Sequence, residues 1–178
     1  MKSIHLLNRR TFTSAAALAA ASLAAPALRA QGRLEKTKVA IAVGGKPAFY
    51  YLPLTISEQL GYFKSEGLEV EISDFAGGAK ALQALMGGSA DVVSGAYEHT
   101  INMQARNQFI KEFVLMGRAP QISVGVSTKT MPHYKSIADL KGKKVGVSAP
   151  GSSTNLVVDL LLSRAGVKSS DVSFVGVG

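Results

Sequence analysis

The chain has 178 residues, a formal net charge of +8 and no cysteine. The lack of cysteine excludes disulfide bonds, a lipidated cysteine and cysteine-based zinc sites. The positive charges are scattered, and Lys141, Lys143 and Lys144 form the only basic cluster, so no basic stripe indicates nucleic-acid binding. We therefore expect a protein that depends on its hydrophobic core and does not bind nucleic acid.

The first 30 residues have the pattern of an export signal. Arg9 and Arg10 give a basic start, an alanine-rich apolar run covers residues 15–27, and small residues follow at Ala27 and Ala30. This is the order of a secretory signal, and the run is shorter than the roughly 20 residues of a membrane-spanning helix. The arginine pair resembles a twin-arginine signal; a Sec signal with two adjacent arginines is the alternative. We expect cleavage near Ala30 and location in the periplasm.

The first half of the remaining chain alternates between strand and helix patterns. Val39–Val43 is a short apolar run, which predicts a strand buried on both faces. Leu68, Val70 and Ile72 alternate with polar residues, which predicts an edge strand with one wet face. Further strands are predicted at Asp91–Gly95 and Phe113–Met116, with helices around Ile56–Phe63, after Gly77-Gly78 and at Glu98–Ala105. This alternation predicts a parallel sheet with right-handed crossovers.

The pattern changes after Pro120. Ile122–Val126 alternates like a strand, and a polar stretch follows that contains a single predicted helical turn. A second α/β unit then begins, with strands at Lys144–Val147 and Val172–Val177 and a helix at Asn155–Ala165 between them.

These patterns predict the organisation of the chain. Because the chain stops directly after a strand, and a parallel sheet needs helices on both faces, we expect the second lobe to be incomplete in this chain. The predicted parts are a signal peptide at residues 1–30, a first lobe at 31–120, a crossover or hinge at 121–135 and the start of a second lobe at 136–178.

A ligand site is predicted where the strand order reverses. In doubly wound sheets, ligands bind beyond the carboxyl ends of the strands at such a reversal, and the order 2-1-3 places it between the first and third strands. Glycines at both strand ends allow close approach to the backbone, and two helix amino ends supply N–H donors that favour anionic or strongly polar oxygens. The candidate ligand-binding residues are Gly44, Gly45, Lys46, Tyr50, Gly77, Gly78, Gly95, Ala96, Tyr97, Glu98, Gly151, Ser152, Ser153 and Thr154.

Each candidate also has a purely structural explanation. Glycines form turns, and serine or threonine caps helices. Tyr50 and Tyr51 are adjacent, so at most one is expected to face a ligand. Glu98 either complements a helix dipole or faces the cleft, where it would pair with an amine and oppose a pure anion.

Catalytic and cofactor motifs are missing from the sequence. Gly44-Gly45-Lys46 lacks the leading glycine and the trailing serine or threonine of a phosphate-binding loop, and no Gly-x-Ser-x-Gly elbow occurs. His99 and His133 belong to no His-Glu-x-x-His motif, and a lone histidine is usually structural or solvated. We therefore expect neither enzymatic activity, nor a metal, nor a cofactor.

Three stretches resemble one family. Ile56–Val70, Gly77–Val92, and Asp139–Val147 followed by Gly151-Ser152 resemble the solute-binding proteins of nitrate-, sulfonate- and taurine-type ABC importers. The resemblance implies a type II periplasmic-binding-protein fold, an α/β architecture of two doubly wound lobes that close on a ligand by hinge motion. It also implies that the second lobe continues and that the chain returns to the first.

The resemblance implies a function and leaves alternatives. It suggests a monomeric extracytoplasmic receptor that binds a small-molecule solute, a polar organic anion or zwitterion, and delivers it to an ABC permease in the membrane. Family ligands range from sulfonates and nitrate to thiamine-related pyrimidines, so the family does not fix the ligand. The alternatives are an enzyme like the thiamine-pyrimidine synthases, which share the fold, and a ligand-sensing ectodomain that uses the same cleft.

Overall fold

The computed structural model describes residues 34–178, and the predicted export signal lies outside these residues. The strands are β1 (Lys38–Gly44), β2 (Glu69–Phe75), β3 (Val92–Ser94), β4 (Lys144–Val147) and β5 (Ser173–Gly176). The helices are α1 (Leu52–Gln59), α2 (Tyr62–Ser65), α3 (Gly78–Met86), α4 (Glu98–Gln104) and α5 (Ser153–Arg164), with 3-10 turns at Phe49–Tyr51, Ile137–Leu140 and Ser169–Asp171. In the described part of the chain, no helix is both long and apolar enough to cross a membrane.

The first sheet is parallel and has the order β2-β1-β3, which confirms the predicted reversal. The central strand β1 is buried at Ile41, Ala42 and Val43, as its continuous apolar run predicts. In β2, alternate residues such as Val70 and Ile72 are half-buried while their neighbours are exposed, so the edge position is confirmed as well.

Both faces of β1 are covered by packed side chains. On one face, Ile41 and Val43 pack with Tyr51 and Leu54. On the other face, Ala42 of β1 lies against Ala81 and Ala84 of α3. Since alanines have no side chain beyond Cβ, α3 lies close to the strand. This close packing fixes where the amino end of α3 stands relative to the end of β1.

The second sheet pairs β4 with β5 in parallel, with α5 connecting them. Its core combines Leu140, Val158, Leu162 and Val172, and this confirms the predicted second α/β unit.

Two predicted strands are wrong. The segment Phe113–Met116 is not paired with β3, and Phe113 and Leu115 are 76% and 66% exposed, while Met116 packs against the first core. The segment Ile122–Val126 also forms no strand. A strand needs a partner with free backbone groups along its length, and apolar composition predicts burial without identifying such a partner. The composition therefore predicted only the contact that Met116 makes with the core.

The predicted first helix is divided at Gly61. This glycine has φ +72°, a conformation that favours glycine, and it lies between the end of α1 and the start of α2.

Leu162 tests the core of the second sheet because it is 0% exposed. We expect Leu162→Ala to lower the free energy of unfolding by about 2–5 kcal/mol, since buried methyl groups are lost and a cavity remains. Leu160→Ala is the matched control on the same helix, because Leu160 is 52% exposed. Urea unfolding of the intact protein measures both; equal losses would contradict the assignment of Leu162 to the core.

Candidate functional site

The carboxyl end of β1 packs directly against the amino end of α3. A Cβ atom added to Gly44 would lie 2.2 Å from the carbonyl carbon of Gly77 and 2.3 Å from the amide nitrogen of Gly78. These distances leave no room for any side chain at position 44. Gly77 has φ +90°, which an L side chain rarely adopts. Glycine is therefore required at Gly44 and favoured at Gly77 to bring the strand end and the helix end together.

The amino end of α3 also meets the turn that precedes α5. The N–H of Ala79 donates a hydrogen bond of 3.0 Å to Oγ of Ser152, which is 0% exposed. A Cβ added to Gly77 would lie 3.1 Å from atoms of Ser148 and Ala149. The amino ends of α3 and α5, which belong to different sheets, therefore lie side by side. Ser152 precedes α5 yet makes no side-chain cap to its own helix; it caps α3 instead.

The predicted donors after β1 are already engaged within the protein. The N–H groups of Gly45 and Lys46 donate to Oδ1 of Asp74 at 2.8 and 2.9 Å. The ammonium group of Lys46 lies 2.6 Å from a carboxylate oxygen of Glu58. The charge that Lys46 would offer to an anion is therefore balanced by Glu58.

The turn before α5 is held by its own hydrogen bonds. The N–H of Gly151 donates to Oδ1 of Asn155 at 2.9 Å. The hydroxyl of Thr154 accepts from the N–H of Ser148 at 3.0 Å and shares a 2.9 Å hydrogen bond with the hydroxyl of Ser148. These contacts fix the turn, in which Ser153 is half-buried. The turn thus presents Ser152 to α3 in a defined position.

The residues after β3 line a cavity instead. Gly95, Ala96 and Tyr97 contribute to a cavity of about 580 Å³ whose walls are mostly apolar. Other residues of its lining include Leu54, Phe63, Val93, His99, Phe113 and Met116. The predicted site residues therefore fall into two groups, one at the junction of α3 and α5 and one along this cavity.

The aromatic candidates differ in exposure. Tyr51 belongs to the core, and burial, with smaller effects from neighbouring charges and Tyr50, raises its pKa to about 12. Tyr50 is half-buried and packs edge-on against Tyr51 with ring centroids 5.0 Å apart. Burial and then the carboxylates of Glu98 and Glu112 raise the pKa of Tyr50. At this end of the sheet, Glu98 therefore contributes negative charge.

Sequence reasoning missed His99, which joins the two groups of residues. It is 5% exposed, it lines the cavity, and its Nε2 would lie 3.1 Å from a Cβ added to Gly78. Among residues 34–178, this buried Nε2 has no hydrogen-bond partner. Leaving such a group unpaired costs about 1–3 kcal/mol. The position of His99, one residue into a helix that follows a glycine-containing strand end, was the signal available in the sequence.

The charge state of His99 follows from its surroundings. Burial lowers its pKa, and the carboxylate of Glu98 acts in the opposite direction as the smaller effect. The neutral imidazole is therefore favoured. No group of three or more histidine, cysteine, aspartate or glutamate side chains that could hold a metal ion occurs within the described residues.

Comparison with known proteins identifies the family. Residues 48–178 match the family model described as NMT1/THI5 like. The chain belongs to the NMT1/THI5-like family. A solved protein from Bordetella bronchiseptica RB50 is 67% identical with a TM-score of 0.81, over 82% of this chain and 46% of that one. The alkanesulfonate-binding protein SsuA from Xanthomonas axonopodis pv. citri, solved with bound MOPS, is 21% identical with a TM-score of 0.55. The match covers 82% of this chain and 49% of SsuA. The NMT1/THI5-like chain thus has the fold of periplasmic binding proteins.

Relatives known from sequence are of two kinds. A protein of Brucella abortus (strain 2308), named as a candidate binding protein, is 32% identical over 125 residues, which is 67% of this chain and 35% of that protein. The 4-amino-5-hydroxymethyl-2-methylpyrimidine phosphate synthase THI11 of Saccharomyces cerevisiae is 25% identical over 141 residues, 79% of this chain and 41% of the synthase. The chain therefore spans between about a third and a half of the length of the proteins that it matches.

Gly44→Ala tests the contact between β1 and α3. The added methyl group would collide with backbone atoms of Gly77 and Gly78, so we expect a loss of about 1–3 kcal/mol in the free energy of unfolding. Gly125→Ala is the control, because a Cβ there meets nothing within 4 Å and its φ is not positive. Chemical denaturation compares the two; a Gly44→Ala protein as stable as the control would show that the contact is not tight.

Proposed function

We propose that the protein is an exported solute-binding receptor that delivers a small polar organic anion or zwitterion to an ABC importer. The observation that carries the proposal is the convergence of two helix amino ends from two sheets, joined by the hydrogen bond from Ala79 to Ser152. Membership of the family and the binding-protein fold support it. The periplasmic location, the membrane permease and the monomeric state are parts of the same proposal.

The geometry suggests how a solute would be held. Helix amino ends carry partial positive charge and N–H groups, so they favour negatively charged or polar oxygens. Ser152 already places one oxygen on the N–H of Ala79, and an oxygen of the solute would take that place. The junction between the two sheets would open to admit the solute and close on it, as in hinge closure. Residues 121–135 are the proposed hinge.

Two features bear on the class of solute. The name of the Xanthomonas relative suggests an alkanesulfonate, and nitrate and taurine are the other candidates. The negative charge of Glu98 beside Tyr50 favours a solute that also carries an amine over a simple anion. Among these candidates we therefore favour a zwitterion such as taurine.

A synthase-like enzyme is the second candidate, and the yeast relative is the observation that favours it. A sensing ectodomain would use the same site as a receptor and would differ in its partner, a kinase in place of a permease. Mass spectrometry separates the two candidates: a synthase would form a pyrimidine phosphate as its product, whereas a receptor would form none and would release an added pyrimidine unchanged.

A thermal-shift screen of the intact protein tests the receptor proposal. The panel is taurine, ethanesulfonate, nitrate and an aminopyrimidine, and we expect at least one to raise the melting temperature. At a solute concentration 100 times Kd, binding stabilises the native state by about 2.7 kcal/mol. Gly44→Ala should lose this shift and Gly117→Ala should keep it, since a Cβ at position 117 makes only ordinary contacts and lies outside the proposed hinge. If no compound of the panel raises the melting temperature, the proposal is contradicted.

A further inference from the structure

His99 is a buried polar group without a partner in the described part of the protein. Its side chain is 5% exposed and its Nε2 makes no hydrogen bond, although almost all buried polar groups in native proteins are paired. The ring is held there by packing, since it lies beside the Cα atoms of Gly78 and Gly95. A nitrogen enclosed in this way indicates that its partner is a molecule other than the chain itself.

The unpaired nitrogen faces the amino end of α3. A Cβ added to Gly78, the first residue of this nine-residue helix, would lie 3.1 Å from Nε2, so glycine at this position permits the approach of the ring. In the first turn of α3, Ala79 donates to Ser152, and Lys80 and Ala81 donate to the carbonyl oxygen of Gly77. Within the described residues, the N–H of Gly78 makes no such bond. Two donors, Gly78 N–H and the imidazole, are therefore close together and unused.

The neutral imidazole can donate from one nitrogen and accept with the other. Because the helix amino end already gathers N–H donors and partial positive charge, an acceptor oxygen is the group that fits beside it. In the tautomer with a proton on Nε2, His99 would add one more donor to the same oxygen.

We infer that His99 is a specificity-determining residue, whose Nε2–H and the amino end of α3 hold the same acceptor oxygen of the bound solute. This inference rests on the receptor function proposed above. The oxygen of Ser152 on the N–H of Ala79 shows that an oxygen fits at this helix end. A solute oxygen that replaced it would lie next to Gly78 and thus beside the ring of His99.

The role of His99 also predicts a pH dependence with a definite sign. An anionic oxygen near the ring stabilises the imidazolium, so binding raises the pKa of His99 from its lowered value in the free protein. Affinity for an anionic probe should therefore rise as the pH falls through the pKa of the complex, and level off below that of the free protein. Glu98 is the charged neighbour on the same helix, Gly78 and Gly95 bring no charge, and Asp91, Lys111 and Glu112 line the same cavity.

The test uses His99→Leu and His99→Gln in the intact protein, with taurine and ethanesulfonate as probes. Leucine fills the space without an N–H, so we expect at least about a tenfold loss of affinity by calorimetric titration. Glutamine keeps a donor and should bind within about threefold of the wild type. Asn102→Leu is the matched control, because Asn102 lies on the same helix as His99, is exposed and does not line the cavity. The pH step in affinity should disappear in His99→Leu and remain in Asn102→Leu.

Thermal unfolding without a probe separates a binding role from a structural one. Removing a buried, unpaired nitrogen should raise the melting temperature of His99→Leu, by about 2–4 °C for a chain of this size. A fall in melting temperature together with weaker binding would make His99 structural and overturn the inference. If His99→Leu binds the probes with the same affinity as the wild type, this inference is overturned as well, while the receptor proposal stands. A wild-type protein that binds neither probe would overturn this inference, and one that also binds no other member of the thermal-shift panel would overturn the receptor proposal as well.

Discussion

The direct contact between the backbones of β1 and α3 is the constraint on which the rest of the site depends. With Gly44 against Gly77 and Gly78, no side chain separates the central strand from the helix. The helix end is thereby carried to the edge of the first sheet, where Ser152 of the second unit can reach it. Any residue with a Cβ at position 44 would move α3 away and separate the parts that now meet.

Local patterns predicted the elements whose partners lie nearby in the fold. The apolar run of β1 and the alternation of β2 each show directly which residues of the strand are buried. Together the two patterns predicted the order of the sheet. The predicted strand at Phe113–Met116 fails because pairing depends on a second strand, and composition does not reveal whether that strand is available. The glycines of the site could be predicted, since close approach and positive φ require this residue type.

The functional roles of Ser152 and His99 could not be predicted in the same way. A serine before a helix normally caps that helix, and only the placement of the two sheets brings Ser152 to the amino end of α3. A single histidine in a helix creates no periodic sequence pattern that would indicate a function. The role inferred for His99 comes from its burial and from the absence of a hydrogen-bond partner for its Nε2 among the described residues. Both properties belong to tertiary packing, and single-sequence reasoning has no access to it.

The ion pair between Lys46 and Glu58 has a consequence for how a solute would arrive. Because this cation is already balanced, little long-range field from Lys46 remains to draw an anion from beyond the Debye length, about 8 Å at physiological ionic strength. Helix dipoles act only within the first turn of the helix. Lys46 would then contribute little to the rate of capture, in dilute and in salty surroundings alike.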